Sequence, residues 1–274
     1  MAYLNGQLTT LAAAGWSDTT GFADNATLEI RDGQQTITGA LDQSGLTEGI
    51  TSMDVGPGFS GVIGGTAGPL KCDVDGSGTP QFRYASGGGA LYYQAAGDNN
   101  LCVKFINSSA GRAYLTGGTF TTLELNSGYT EISDAVTPTT VNLTGGTLRC
   151  DAVITTLNQW GGNAILTKAP TTWIQWGGSG IHDSVSGNIT TFSQGPGGFL
   201  DHRGGNIATF TIAGRFTVAN ATRAGTLAGT AGTIVLTTAN IVDTSPTAGI
   251  TWTAANITKL GKGTSTATSG GGPI

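Results

Sequence analysis

Short runs of threonine followed by a large apolar residue recur along the second half of the chain. Apolar and polar positions alternate within each run, which is the pattern of a β-strand with one buried face. The six runs cover 121–125, 139–143, 155–159, 171–175, 190–194 and 208–212, so they return at a nearly constant interval. A second pair of similar pentapeptides, 237–241 and 253–257, repeats at a similar interval. A strand that returns in this way, with no helix between copies, predicts the coils of a solenoid.

Equivalent residues of successive coils are expected to lie directly above one another, because stacked strands sit about 4.8 Å apart. Gln159, Gln175 and Gln194 share one position in the repeat, and Trp160 and Trp176 recur inside identical Gln-Trp-Gly-Gly tetrapeptides. Gly-Gly pairs between the runs predict tight corners, where positive φ is needed. The sequence therefore predicts a glutamine ladder, with a large apolar residue two positions earlier on the same side of each strand.

The predicted fold is all-β: a parallel β-helix, or β-solenoid, of about 16–19 residues per coil over residues 111–262. Residues 1–60 have alternating runs without a clear period, which predicts a β-rich N-terminal segment that caps or anchors the solenoid. Residues 61–110 predict irregular first coils, and the Gly/Ser/Thr-rich residues 263–274 predict a flexible tail. A threonine-rich antiparallel sandwich is the alternative, but it does not require near-identical pentapeptides at near-constant spacing.

Composition excludes several classes of protein. The 274 residues include 46 glycines, and only 11% are charged, against about 25% in an ordinary soluble domain. Glycine and threonine form helices poorly, which excludes a helical protein, and 38% hydrophobic residues with a net charge of −5 argue against disorder. The 12 Lys and Arg residues form no basic cluster, and no run approaches the roughly 20 apolar residues of a membrane span. We therefore predict neither a nucleic-acid nor a membrane partner.

The three cysteines, Cys72, Cys102 and Cys150, are too widely spaced for a disulfide framework or a zinc site, so we predict buried reduced thiols. The first residues carry no basic segment followed by an apolar one. The absence of that signal predicts a protein that is made and assembled in a cytoplasm.

Both histidines lie beside aspartates, in two segments that are one coil apart: His182, Asp183, Asp201, His202 and Arg203. Asp183 and Asp201 about 5 Å apart would match the carboxylate pair of a retaining glycosidase. The repeat leaves two registers open, because Asp201 aligns with His182 counted forward and nearly with Asp183 counted backward. The alternative is a surface patch of opposite charges. Since a carboxylate pair alone is a weak signature, we predict no catalytic site and keep these residues as candidates.

The remaining candidates have structural explanations as well. Trp160, Trp173 and Trp176 can form either a stacking platform for sugars or a stabilising ladder and subunit contact. Residues 73–78 resemble a calcium loop but lack its third acidic position and its terminal glutamate, and turn formation explains them without a metal. Glycine-rich runs lack the Gly-Lys-Ser/Thr of a phosphate loop. We predict no metal and no cofactor.

The Thr-Thr ladder, the Gly-Gly corners, and the Val-Gly-Pro-Gly-Phe-Ser-Gly segment at 55–61 together make the sequence similar to tailed-phage virion structural proteins of the β-solenoid type. This resemblance to bacteriophage proteins implies a homotrimer of β-solenoids in the virion, assembled in the host cytoplasm. Such a trimer would lie either on the capsid, as a decoration or cement protein, or at the tail, as a fibre or spike.

From this resemblance we expect a non-enzymatic decoration protein that binds and stabilises the lattice of the major capsid protein. The alternative is a tail fibre or spike that binds host surface polysaccharide or cleaves it as a depolymerase. A cell-surface adhesin is a third possibility, which the missing export signal disfavours.

Overall fold

The structure is a computed structural model that describes residues 2–4, 6–9, 23–34, 36–37, 42–212, 215–218, 234–236, 240–243, 257–259 and 264–267. Every regular element within these residues is a β-strand. The chain divides into two compact units. The N-terminal unit contains residues 1–141 and 145–148, and the C-terminal unit contains residues 142–144 and 149–274.

The strands are numbered in chain order. They are β1 Ala2–Leu4, β2 Gln7–Thr9, β3 Thr27–Gly33, β4 Thr36–Ile37, β5 Ser52–Phe59, β6 Val62–Ile63, β7 Leu70–Lys71, β8 Gln81–Tyr84, β9 Ala90–Gln94, β10 Leu101–Asn107, β11 Arg112–Leu125, β12 Tyr129–Ile132, β13 Val136–Leu143, β14 Thr147–Cys150, β15 Thr156–Gln159, β16 Asn163–Leu166, β17 Thr172–Ile212, β18 Arg215–Val218, β19 Ile234–Leu236, β20 Asn240–Asp243, β21 Ile257–Lys259 and β22 Thr264–Ala267.

The N-terminal unit stacks its strands in two parallel rows. One row contains β3, β5, β8, β10 and the end of β11. The other contains β4, β6, β9, the start of β11 and β12. Successive coils therefore add parallel strands to each row, which is the arrangement of a parallel β-solenoid.

An antiparallel hairpin covers the first strand of this stack. β1 pairs antiparallel with β2 and also with β3, where Ala2 lies opposite Ile30. The predicted β-rich N-terminal cap is therefore present. Parallel stacking already begins with β3 and β5, inside the segment 1–60 that the sequence pattern separated from the solenoid.

An inward-facing column of large side chains forms the core of the N-terminal unit. Its members share one register from coil to coil and are at most 2% exposed: Leu28, Met53, Phe82, Phe105 and Leu123. The rings of Phe82 and Phe105 meet edge to face, with centroids 5.3 Å apart. Burial of such rings drives folding because it removes large apolar areas from water.

The C-terminal unit is also a stack of parallel coils. β15 and β16 pair with two parts of β17, with Thr156 opposite Thr172 and Asn163 opposite Ser179. Farther along, β17 pairs with β18 and β19, and the remaining strands continue both rows in parallel. The predicted all-β parallel β-helix is confirmed.

The register of the last strands corrects two predictions. The repeat of 237–241 and 253–257 is not the structural repeat, because Ile257 lies opposite Ile234 and Ile241 opposite Ser265. Coils there are therefore longer than the interval between the two pentapeptides, which do not stack on each other. Within the predicted tail 263–274, Thr264–Ala267 form β22 rather than a flexible segment, and residues 268–274 lie outside the described residues.

A tight corner of the C-terminal unit depends on glycine at position 178. Its φ is +78°, and a Cβ placed there would collide with the carbonyl oxygen of Gly162 in the preceding coil. We expect Gly178→Ala to lower the free energy of unfolding by about 2 kcal/mol, since an L residue in this conformation costs about 1–2 kcal/mol before any clash. Gly65→Ala is the control, because nothing lies within 4 Å of its Cβ. Equal urea midpoints for the two variants would contradict this account of the corner.

Candidate functional site

Three glutamine side chains form a ladder inside the C-terminal unit. Gln159 lies opposite Gln175, whose Nε2 donates a hydrogen bond to Gln159 Oε1 at 3.2 Å. The Nε2 of Gln194 in turn donates to Gln175 Oε1 at 2.8 Å. All three side chains are buried. The predicted glutamine ladder is confirmed, and these amides hold coils together instead of facing a ligand.

The large apolar residues two positions earlier pack beside the ladder. Leu157 lies opposite Trp173, and the rings of Trp173 and Phe192 meet edge to face with centroids 5.7 Å apart. Trp173 is completely buried and donates from Nε1 to Gln159 Oε1 at 3.2 Å. Trp173 is therefore a core residue. The predicted alternative of a sugar-stacking platform made of three tryptophans is wrong for Trp173.

The other two tryptophans of that group lie on the surface. Trp160 is 49% exposed and Trp176 is 55% exposed, and each follows a glutamine of the ladder at the same corner of adjacent coils. The ring of Trp176 lies over Gly195, where a Cβ would be 3.0 Å from Cε3. Half-exposed indoles at one corner provide apolar contact area of the kind enriched in protein interfaces.

The two histidines contact each other in the core of the C-terminal unit. Both are completely buried, and their Nδ1 atoms are 3.0 Å apart. Their ring centroids are 5.0 Å apart and the ring planes are 18° from parallel, so the rings meet edge to edge. His202 therefore lies beside His182, which corrects both alternative registers that the sequence left open for Asp201.

The aspartates lie on the other side of the strand from the histidines. Along β17 buried and half-buried residues alternate, with the histidines at buried positions and Asp183 and Asp201 at half-buried ones. The histidine contact makes Asp201 level with Ile181, so the two aspartates occupy different positions along the stacked strands. The side chain of Arg203 lies outside the described residues. The candidate residues thus do not form one accessible group, because a polysaccharide cannot reach buried imidazoles.

Burial also fixes the protonation of His182. Removal from water, followed by the charge of His202, lowers the pKa of His182 to about 3. The ring is therefore neutral at physiological pH. A neutral, inaccessible imidazole next to a second one packs the core and exchanges no proton with a substrate.

A group of three carboxylates lies in the N-terminal unit, at the calcium-like turn. Oxygens of Asp73, Asp75 and Asp98 lie within 4.8 Å of one another, close enough to share a hard cation such as calcium. Burial raises the pKa of both Asp73 and Asp75. The carboxylate of Asp73 accepts three backbone hydrogen bonds, from the N–H groups of Asn99, Asn100 and Leu101. These bonds tie Asp73 to the loop at 99–101, and the turn-forming explanation of residues 73–78 stays a prediction. Sequence analysis missed Asp98, because it comes from a different loop.

Another recess in the N-terminal unit is polar. It measures about 390 Å³ and is lined by Tyr3, Gly6, Thr27, Leu28, Glu29, Ser52 and Asp54. Its two carboxylates already have cationic partners, since Glu29 binds Arg31 at 2.7 Å and Asp54 binds Arg83 at 3.0 Å. The hydrogen bond from Arg31 lowers the pKa of Glu29, which favours the ionised carboxylate.

A tyrosine ladder on the N-terminal unit was also missed. The rings of Tyr92 and Tyr114 stack with centroids 4.6 Å apart and planes 10° from parallel. Arg112 lies over the ring of Tyr129, whose hydroxyl donates to Glu131 at 2.7 Å. These residues come from coils of unequal length, so no fixed spacing marks them in the sequence.

All three cysteines are free and buried, as predicted. Burial raises the pKa of Cys102 and of Cys150 to about 12. Thiols that stay protonated are poor nucleophiles and poor metal ligands, so these side chains pack as small apolar groups.

No family model, curated protein or solved structure matches the chain. In the part of the chain that the structure describes, no helix is long and apolar enough to cross a bilayer. Function must therefore follow from the molecule itself: parallel coils with internal polar ladders, and a pair of tryptophans exposed at one corner.

Proposed function

We propose that this chain is a non-enzymatic virion structural protein, a decoration protein that binds the lattice of a major capsid protein. The sequence resemblance to tailed-phage solenoid proteins suggests the virion. The internal polar residues support a structural role. The glutamine amides bond to one another inside the core, and the two imidazoles contact each other there. A rigid, low-charge body of this kind suits a part that reinforces an assembly.

The observation that carries the binding role is the exposed pair Trp160 and Trp176. Tryptophan is among the residue types most enriched at interface positions that dominate binding energy. Both indoles are attached to a corner fixed by the glutamine ladder, so little conformational freedom is lost when they are covered. A trimer would present this corner three times, and several modest contacts would then hold it firmly to a lattice.

This proposal places attachment at the tryptophan corner and not at residues 1–60, the segment that the sequence pattern predicts to cap or anchor the solenoid. β3 and β5 belong to parallel coils, so deleting residues 1–50 would strip β3 from β5 and damage the solenoid itself. The tryptophans can be changed without touching any coil hydrogen bond, because the ladder uses backbone groups and the glutamines.

Copy number in purified particles is the experiment that tests the location. Quantitative mass spectrometry of this chain against the major capsid protein is expected to give hundreds of copies per particle. A handful of copies would instead favour the tail fibre or spike, in which exposed indoles stack on the rings of host polysaccharide. Complete absence from particles would overturn the virion assignment.

The double variant Trp160→Ser, Trp176→Ser is expected to bind capsids at least about tenfold more weakly than the unmodified chain, because truncating a central interface tryptophan costs about 2 kcal/mol or more. Cosedimentation with capsids measures the affinity, and circular dichroism checks that the coils remain folded. Val153→Ser is the matched control, since Val153 is also apolar and 54% exposed in the same unit.

Equal binding by the double variant and the unmodified chain would exclude the tryptophan corner as the contact. A loss of polysaccharide binding, with capsid binding unchanged, would favour the tail protein instead.

A further inference from the structure

The contact between His182 and His202 restricts which tautomers the two rings can adopt. Two nitrogens 3.0 Å apart form a hydrogen bond only when one carries hydrogen and the other offers its lone pair. The neutral rings must therefore be opposite tautomers, one protonated on Nδ1 and the other on Nε2. If both Nδ1 atoms carried hydrogen, two N–H groups would face each other across the same distance, and the hydrogen bond would be lost.

The Nε2 side of the His182 ring offers no acceptor for the proton that a positive charge would add. In the stacked register Leu166 lies next to His182 and Val218 lies next to His202. The Nε2 of His182 is buried and has no hydrogen-bond partner, so the second N–H of a protonated His182 would point at no acceptor. A protonated His182 would keep only its bond to Nδ1 of His202, and its Nε2–H would be a buried cationic donor without an acceptor, which is strongly unfavourable.

Charged groups on the packed strands lie at other positions. β16 contributes no titratable residue, and β18 contributes only Arg215, which is level with Phe199 rather than with His202. Along β17 the nearest titratable residues are Asp183 and Asp201, at half-buried positions of the alternation, and Arg203, next in sequence to His202. The charge of His202 disfavours a protonated His182, because both rings carry the same sign of charge when protonated.

We propose that the His182–His202 pair is an acid-sensitive clasp. The neutral pair holds two adjacent coils of the C-terminal unit together, and protonation in acid separates them. The clasp belongs to the fold and does not depend on the proposed capsid role. It is therefore tested on the isolated full-length chain, where a failed capsid assay has no bearing on it.

The direction of the pH effect follows from where each state binds protons. An unfolded histidine binds its proton near pH 6.5, whereas burial lowers the pKa of His182 to about 3. Between these values the opened state binds more protons than the closed state, so stability is complete above pH 6.5 and falls as the pH falls toward 3. At pH 4.5, two units below the unfolded value, His182 alone raises the ratio of opened to closed coils about a hundredfold.

Nitrogen-15 labelling of histidine tests the clasp directly, because the chain contains only two histidines. Long-range proton–nitrogen spectra of the full chain are expected to show one ring of each tautomer at pH 8. The His182 ring should not titrate near pH 6.5 while the coils stay closed. A His182 ring that titrates near pH 6.5 in the folded chain, or two rings of the same tautomer, would overturn the proposal.

Two variants test the consequence for stability. The double variant His182→Leu, His202→Leu places apolar residues between Leu166 and Val218 in the stacked register. Between pH 8 and pH 4.5, the ratio of opened to closed coils should rise about a hundredfold less in this variant than in the unmodified chain. Asp183→Asn with Asp201→Asn is the control and should keep the pH response of the unmodified chain. The proposal fails if the leucine variant keeps that response, whatever the asparagine variant does. Should the leucine variant not fold, the spectra of the unmodified chain still decide.

Discussion

Replacing Trp173 with alanine is expected to lower the free energy of unfolding by about 3–5 kcal/mol, the range found for large-to-small changes of buried aromatic residues. The ring is completely buried, packs against Phe192 and donates a hydrogen bond to Gln159. Its six-membered ring also covers Gly180, where a Cβ would lie 2.6 Å from Cζ2. No side chain at that glycine can move in to fill the cavity, so most of the cost should remain.

Trp176→Ala is the matched control for this prediction. It removes the same side chain farther along the same strand, but from a position that is 55% exposed. The expected loss is below about 1 kcal/mol, as for most surface substitutions. Chemical denaturation of both variants gives the comparison. Similar losses at the two positions would mean that the core does not lie on the Trp173 side of the strand.

Replacing Gln175 with alanine is the second large expected effect, a loss of about 3 kcal/mol of unfolding free energy. This residue is the middle rung of the ladder, so alanine removes a donor to Gln159 and an acceptor from Gln194. The backbone carbonyl of Phe199 also loses the amide that binds it at 2.9 Å. Removing one partner of a buried hydrogen bond costs about 1–3 kcal/mol, and the cavity adds to that.

Asn158→Ala provides the comparison for the ladder. Asn158 donates to Asn142 at 2.9 Å from a partly buried position, and water can replace that bond. We expect a loss of about 1 kcal/mol or less, measured by the same urea titration. If Asn158→Ala proves as costly as Gln175→Ala, the internal ladder has no special role in holding the coils.

The sequence predicted the glutamine ladder because its coils are of nearly constant length. From Gln159 to Gln175 and on to Gln194, the same residue type returns at the same position, and each buried amide finds its partner in the amide of the next coil. Constant coil length makes such ladders visible as repeats. Where the coil length is nearly constant and the same residue type returns, pattern and structure agree residue by residue.

The coils of the N-terminal unit were harder to predict from the sequence, because their lengths vary and no single residue type repeats. The intervals along the chain between the partners Leu28, Met53, Phe82 and Phe105 all differ from one another. Loops of different length absorb the difference, and any large apolar side chain can fill the column. Their burial drives the same stacking without leaving a period or a repeated residue in the sequence.

The predicted register of the histidine segments was wrong for a local reason. The stretch from Gln194 to Phe199, which the histidine contact makes level with Ser179, is one residue longer than the stretch from Gln175 to Ser179. The corner at 195–198 therefore holds one extra residue, and this moves His202 level with His182. A one-residue change at a glycine-rich corner leaves no hydrophobic signal, so counting from the threonine runs misplaced the pair.

The hairpin of β1 and β2 has a consequence for how copies of the chain meet. An uncovered edge strand of a parallel stack is a template on which another chain can add its own coil, and repetition of that step produces a fibre. Here β1 occupies the edge of β3 and runs the opposite way, and β2 pairs with the other edge of β1. The strand that a second copy would meet is therefore β2, a three-residue strand of a hairpin instead of a full coil. Very short edge strands discourage the addition of another chain, so this hairpin opposes filament growth at this edge.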